Sequence, residues 1–258
     1  PQPQPQPQPA PHGHGPTNFV LSSFNVLGYS HTEKGGNKAS MASGVQRIHT
    51  IIQLLDQHHV DVAGLQEFQS PQAKEFLKVA GNRYAVYPGL SLHKGDSQNS
   101  ITWRKDKWDL VKAQTFTIPY FEGHAAKQPV VLLRNKETGQ EAYFLNVHNP
   151  ADTADHHHQQ AYRTRSTQIE ADLIARLRQS GLPVFMTGDL NEHESAFQRL
   201  QAKGALITGN DAKTRKHGID WLIATPGVHF SNFMRDRSKA EAAASDHPMV
   251  AARVQIPG

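Results

Sequence analysis

The chain alternates apolar runs with short polar stretches, and most of the apolar runs end in a polar or titratable side chain. Phe19 to Val26 is rich in Phe, Val and Leu and closes on Asn25-Val26. Val60 to Leu65 is a short buried-strand pattern that delivers Gln66 and Glu67. Arg83 to Tyr87, Asn99 to Arg104 and Trp108 to Ile118 read as further strands. Pro129 to Arg134 and Glu141 to Val147 flank Asn135–Gly139, a hairpin signal, and the second run leads into His148. Val184 to Met186 ends in Thr187-Gly188-Asp189-Leu190-Asn191. Gly188 is expected to turn the backbone there, and Asp189 and Asn191, two apart on an extended segment, to face the same way. Gly218 to Ile223 carries Asp220, and Ser245-Asp246-His247-Pro248 runs into a last strand through Val254.

Helical spacing appears between these runs. Val45, Ile48, Ile51, Ile52 and Leu55 recur over 41–59, with Arg47, Gln53 and Asp56 between them. Pro71 predicts a helix starting after Ser70, which leaves Glu67 on the connecting loop. Arg163 to Arg178 predicts a helix with Ile169, Leu173, Ile174 and Leu177 inside and Glu170, Asp172, Arg176 and Arg178 outside. Another helix is expected over 195–203. Strands joined partly by hairpins and partly by helices predict an α/β fold built on a pair of mixed sheets rather than a parallel barrel.

Length and composition narrow this picture. The 258 residues allow one large domain or two small ones. Pro and Gln alternate at the start, followed by His12-Gly13-His14-Gly15-Pro16, so residues 1–17 are expected to form a disordered tether and 18–258 the folded domain. The first residue is Pro1 rather than Met. With the tether, this predicts a processed, secreted or cell-surface protein whose signal peptide lies outside this chain. The absence of cysteine excludes disulfides, and the apolar runs are far too short for a membrane span. A net charge of +4 and 16 His fit an anionic substrate. His93, Lys94, His124, Lys127, Arg163 and Arg165 are expected on loops that contact backbone phosphates. The His156–His158 triplet reads as a solvated loop.

Asn25, Glu67, His148, Asp189 with Asn191, and Asp246 with His247 recur at the ends of apolar runs, and Asp220 adds a carboxylate in an apolar setting. If these ends share one side, they form a cluster of carboxylates, carboxamides and two imidazoles. Hard carboxylate oxygens with amide support suit Mg²⁺ or Mn²⁺. Imidazoles beside carboxylates suit an oriented general base and a donor to a phosphoryl or leaving oxygen. A metal held by Glu67 and Asp246 would neutralise phosphate charge. The reaction class is metal-assisted hydrolysis of a phosphate ester.

The order Ser-Phe-Asn25, Leu-Gln-Glu67, Asn99-Ser-Ile-Thr-Trp, Asn-Val-His148, Gly-Asp189-Leu-Asn191, Ile-Asp220-Trp and Ser-Asp246-His247-Pro resembles the endonuclease/exonuclease/phosphatase superfamily over about 19–254. The resemblance implies a four-layer α/β/β/α sandwich of two packed mixed sheets with outer helices. It implies Glu67 as the main metal ligand, with Asn25 and Asp246 near it. It implies that His247, polarised by Asp220, activates or orients water, that Asp189 and Asn191 touch the scissile phosphate, and that His148 donates to a phosphate oxygen. Asn99 would sit at the site edge, and Asn25, Asn191 and Arg165 are further substrate contacts on this reading. The leading expectation is a monomeric Mg²⁺-dependent phosphodiesterase acting on nucleic acid, with no stable protein partner. The alternatives are a sphingomyelin or phospholipid phosphodiesterase, for which Phe116–Phe121 would be a membrane-facing edge, a small-molecule phosphatase, and a non-catalytic binding module.

Overall fold

The structure is a computed structural model that describes residues 15–92 and 97–258. The expected tether through His14, and His93 and Lys94, lie outside the described residues. Among the described residues there are twelve strands: β1 Thr17–Asn25, β2 Val62–Gln66, β3 Tyr84–Tyr87, β4 Ser100–Arg104, β5 Trp108–Pro119, β6 Ala125–Asn135, β7 Glu141–His148, β8 Val184–Asp189, β9 Ile207–Thr208, β10 Asp220–Ala224, β11 His229–Arg235 and β12 Val250–Ile256. They form two six-stranded mixed sheets, in the orders β11-β12-β1-β2-β4-β3 and β5-β6-β7-β8-β10-β9. The helices are α1 Tyr29–Thr32, α2 Gly44–Gln57, α3 Ser70–Ala80, α4 Gln160–Leu177, α5 Glu194–Leu200, α6 Ala212–His217 and α7 Lys239–Ala244. Among the described residues no helix is long and apolar enough to cross a membrane.

Period-two alternation sorts the strand residues into layers. Phe19 and Leu21 of β1, Val62 of β2, Ala142 and Phe144 of β7, Phe185 of β8 and Leu222 of β10 fill the core between the sheets. The Phe144 and Phe185 rings stack there 5.2 Å apart, with Phe19 edge-on to both. The opposite parity, Phe24, Ala63 and Leu65, packs on α2 and α3. On the second sheet Leu145, Val147, Met186, Trp221 and Ile223 pack on α4 and α5. The result is the expected four-layer sandwich.

Following the inward parity along the strands shows where the site must lie. The apolar row gives way to Gly64, Gln66, Asn146 and Thr187, a polar seam between the sheets. Gln66 Nε2 donates to Asn146 Oδ1 at 2.6 Å, and Asn146 Nδ2 donates to the carbonyls of Leu65 and Ser100 at 2.9 Å. Gly64 is required here, since a Cβ would collide with Thr187 Oγ1 and Asn146 Oδ1. One further step along the same parity reaches Asn25, His148, Asp189 and Asp220.

Several expectations are corrected. Gly188 does not turn the chain: it lies within β8, where a Cβ would sit 2.6 Å from the Val147 carbonyl, so its role is close strand packing. The turn comes at Asn191, with φ 50°. Lys127 lies on β6 and Arg163 and Arg165 on α4, not on loops. Arg163 is buried, donating to the Pro150 carbonyl and to Asp152. Arg47 is also buried, and its guanidinium clamps the carbonyls of Val26, Leu27 and Ala244. β11 was not expected because it is an exposed edge strand with a bulge between Ser231 and Met234 and no clean alternation.

The largest correction is Glu170, expected outside and found 0% exposed on α4. Neither carboxyl oxygen makes a hydrogen bond among the described residues. Burial pushes this carboxyl up to about 8, with the Asn149 amide and the Arg199 charge offsetting part of the effect. Its ordinary value is 4.5, so the folded protein keeps a proton that the unfolded chain loses. The resulting stability is present below 4.5 and is lost as pH rises to about 8. Glu170→Gln is expected to remove ~1 kcal/mol or more of that pH-dependent fall. Denaturant unfolding at acid and mildly alkaline pH measures it, and equal slopes in parent and variant would exclude Glu170 as the source.

Candidate active site

Strand register brings the site together. β7 and β8 are parallel with His148 opposite Asp189, and β8 and β10 are antiparallel with Asp189 opposite Asp220. In the other sheet, parallel β1 and β2 set Asn25 opposite Gln66, one residue before Glu67. All four inward-facing side chains lie at one edge of the sandwich because β10 runs opposite to β8. His247, on the segment before β12, reaches the same edge.

A continuous polar network joins these residues across the two sheets. Asn25 Nδ2 donates to Glu67 Oε1 at 3.0 Å and to Asp189 Oδ2 at 3.2 Å, while its Oδ1 accepts from the Leu27 backbone at 3.0 Å. The amide face of Asn25 thus meets both carboxylates, and its oxygen is turned to the loop. Asp189 Oδ1 accepts from the Asn191 N–H at 2.9 Å, and Asn191 Nδ2 donates to the Asn149 carbonyl at 2.7 Å. Asn191 therefore follows Asp189 in a side-chain-closed turn, not on an extended strand. His247 Nδ1 lies 3.1 Å from Asp220 Oδ1 and 3.6 Å from Asp189 Oδ2. His148 Nε2 lies 3.5 Å from Asp189 Oδ2. Leu27, Glu67 and Asn191 all have left-handed backbones, with φ of 52°, 56° and 50°. Such conformations cost roughly 1–3 kcal/mol each in non-glycine residues, and here they aim three loop positions at one edge.

The charges are strongly interdependent. Burial opposes ionisation of Glu67, yet His31, the His148 charge, Asn25 and the Gly28 N–H together hold it well below the ordinary carboxylate range. Burial alone would lower the His247 pKa, but the Asp220 carboxylate, then Asp189 and Asp246, raise it to about 10. Burial raises Asp220, partly offset by its contact with His247. His247 and Asp220 therefore stand as a tight charged pair.

Asp246 is exposed and pairs with Lys38 Nζ at 3.1 Å. Asn99 is buried and donates through Nδ2 to Gln128 Oε1 at 2.9 Å, and that same oxygen accepts from the His148 N–H at 3.1 Å. Asn99 thus reaches the site through Gln128. Arg165 is exposed on α4 with Gln168 as its hydrogen-bond partner, away from the network. Three contacts were missed in the sequence. His31 Nε2 lies 3.3 Å from Glu67 Oε2, the Tyr120 hydroxyl lies 3.4 Å from His148 Nδ1, and Gln128 braces the His148 backbone. His31 sits on the one-turn helix α1 and Tyr120 on a loop, both too short for a periodic pattern. Gln128 carried a signal, a polar residue opening an apolar run.

The donor set suits a hard divalent cation: the carboxylates Glu67 and Asp189 are linked through one amide, and Glu67 is kept ionised despite burial. Asp189, Asp220 and His247 also offer atoms within 4.8 Å of one another. Their proximity has a simpler source, because His247 Nδ1 faces both Asp220 oxygens at hydrogen-bond distance and a protonated ring nitrogen does not ligate.

Comparison with known proteins agrees with this geometry. The profile of the Endonuclease/Exonuclease/phosphatase family matches residues 22–247. No curated protein matches the sequence. An endonuclease/exonuclease/phosphatase family protein from Bacteroides thetaiotaomicron superposes with TM-score 0.71 at 20% identity, over 93% of this chain and 98% of that one. A mannosyl-6-phosphatase from the same organism gives 0.69 at 20%, over 92% and 99%. D. rerio TDP2 complexed with a single-strand DNA product gives 0.69 at 15%, over 92% and 99%. At these identities the structures establish the shared fold, while the family profile spans both the Asn25–Glu67 and the Asp220–His247 halves of the network. The chain belongs to the Endonuclease/Exonuclease/phosphatase family, whose members are hydrolases of phosphate esters.

Proposed function

We propose that this protein is a divalent-metal-dependent phosphodiesterase acting on nucleic acid. The observation that carries the reading is the unbroken chain Glu67–Asn25–Asp189–His247–Asp220, which joins the Glu67 carboxylate to the His247–Asp220 pair across both sheets. Glu67 would hold Mg²⁺ or Mn²⁺ with Asp246 beside it, while Asn25, expected as a ligand, turns its oxygen to the Leu27 N–H and would fix the Glu67 carboxylate through its NH₂ group instead. The bound ion supplies neutralisation of phosphate charge and polarisation of the phosphoryl oxygens.

The chain's own groups divide the remaining work. Asn191, fixed by Asn149, and His148 face the phosphate and donate to its oxygens. Asp189, held by Asn25 and by the Asn191 N–H, orients the attacking water and accepts its proton. His247 is anchored through Nδ1 and is left with Nε2 for the reaction. As the imidazolium it donates to the leaving oxygen as the P–O bond breaks, and Asp220 stabilises its charge. The positive net charge of +4 supports a polyanionic substrate.

Purified protein is expected to hydrolyse bis-p-nitrophenyl phosphate with Mg²⁺ or Mn²⁺, to lose that activity in EDTA, and to nick plasmid DNA or cleave RNA. Sphingomyelin turnover without nucleic-acid cleavage would replace the nuclease reading, and absence of any ester hydrolysis would remove the catalytic one.

A further inference from the structure

Glu192 follows directly on the turn Asp189–Asn191, and it is held far more firmly than an ordinary loop residue. Its side chain is only 9% exposed and its carboxylate faces two guanidinium groups. Arg199 Nη2 of α5 donates to its Oε2, and Arg163 Nε of α4 lies 4.0 Å from the same oxygen. Gln160 Nε2 of α4 donates to Oε1 at 3.0 Å. The backbone carbonyl of Glu192 accepts from Trp221 Nε1 of β10 at 3.0 Å. One loop residue is thus tied to α4, α5 and β10.

Docking of the two helices does not require these ties. Leu173 and Ile174 of α4 share an apolar cluster with Phe197 and Leu200 of α5, and Arg199 Nε already donates to Thr167 Oγ1 of α4 at 3.1 Å. An ion pair placed beside that cluster loses hydration that apolar packing does not. What it adds is a fixed place for the loop.

The loop has need of one. Asn191 has a left-handed backbone, with φ 50°, a conformation that persists only where its surroundings hold it. Its Nδ2 donates to the Asn149 carbonyl at 2.7 Å. An amide NH₂ carries two hydrogens, so one remains for a phosphate oxygen. The direction of that hydrogen depends on where the turn sits relative to Asn149. Arg163 secures the Asn149 side, since its guanidinium donates to the carbonyl of Pro150 at 2.9 Å and to Asp152 Oδ2 at 2.6 Å. Both ends of the Asn191–Asn149 bond are therefore braced on α4.

We propose that Glu192 is a positioning residue for phosphate-ester hydrolysis: paired with Arg199, it fixes the turn after β8 so that Asn191 presents its free amide hydrogen to the phosphate. This rests on the phosphoesterase reading above. Glu192 touches no substrate on this proposal and acts through Asn191 alone.

A double-mutant cycle on bis-p-nitrophenyl phosphate tests it. Glu192→Gln keeps the volume but turns an NH₂ group toward the guanidinium groups, and kcat is expected to fall about tenfold with KM changed by at most a few-fold. Asn191→Gly removes the donor while tolerating the left-handed backbone, and kcat is expected to fall about 100-fold. In that background Glu192→Gln is expected to cost no more than about twofold further, because the group it positions is gone. A purely structural ion pair would instead lower kcat by the same factor in both backgrounds, and that result overturns the proposal. So does unchanged kcat in Glu192→Gln. Arg199→Met breaks the same tie from the helix side and is expected to couple to Asn191→Gly in the same way. It decides the question if Glu192→Gln does not fold, and independent effects there overturn the proposal equally. Any of these failures with an active parent protein removes the positioning role alone, whereas a parent that turns over no ester removes the phosphoesterase reading with it.

Discussion

His247→Ala is expected to lower kcat roughly 100- to 10,000-fold while changing KM by only a few-fold. The imidazole is anchored on one nitrogen by Asp220 at 3.1 Å and sits 3.6 Å from Asp189, so its reactive nitrogen has a fixed direction. In the proposed mechanism it acts on a proton that moves only as the ester bond breaks, and a group used in that way appears in kcat rather than in binding. Alanine also leaves Asp220, already raised by burial, without its charged partner. Asp220 then takes up a proton, and the fold survives at a modest cost. Steady-state kinetics on bis-p-nitrophenyl phosphate measure the effect. A loss confined to KM would show that His247 binds substrate and takes no part in proton transfer.

Glu67→Gln is expected to reduce turnover at least about 100-fold and to weaken binding of Mn²⁺ measured by calorimetry. The Gly28 N–H, the Asn25 amide and His31 all converge on this carboxylate, a set of donors suited to an anion. The neutral amide cannot satisfy all three donors or hold a divalent cation with the same strength. The substitution preserves volume but forfeits the hold these donors have on the ionised carboxylate, so the variant is expected to stay folded and to melt below the parent temperature. Full activity with unchanged Mn²⁺ affinity would remove Glu67 from the site.

Much of this arrangement was legible because strands write their orientation with period two. The apolar runs ending at Asn25, His148 and Asp189 predict both the strands and the edge to which their last side chains belong. Glu67 was placed correctly on its loop by Pro71, which marks where α3 begins. Less legible was anything set by a polar inner face. On α4 the buried stripe runs through Arg163, Ser166, Thr167 and Glu170 before it becomes apolar at Ala171, Leu173 and Ile174. The first turns lie beneath the loops that carry Asn149 and Asn191, so hydropathy finds Leu173, Ile174 and Leu177 but leaves Glu170 outside the buried stripe. Gly188 misled for a related reason. The need for glycine came from Val147 on the neighbouring strand, a contact that local sequence does not encode. His31 and Tyr120 act through tertiary proximity alone.

The polar seam of Gln66, Asn146 and Thr187 gives the two sheets a relation that apolar packing does not. Greasy plates can slide over one another with little change in buried area, but directional bonds at 2.6–2.9 Å cannot follow such a slip. Glu67 and Asn25 ride on one plate, while His148, Asp189 and Asp220 ride on the other. Alignment of these side chains is therefore governed by a shear coordinate, distinct from the coordinate along which either sheet unfolds. A small slip would part the carboxylates with every strand still paired, so catalytic competence reports on the fit between the two halves before it reports on the integrity of either.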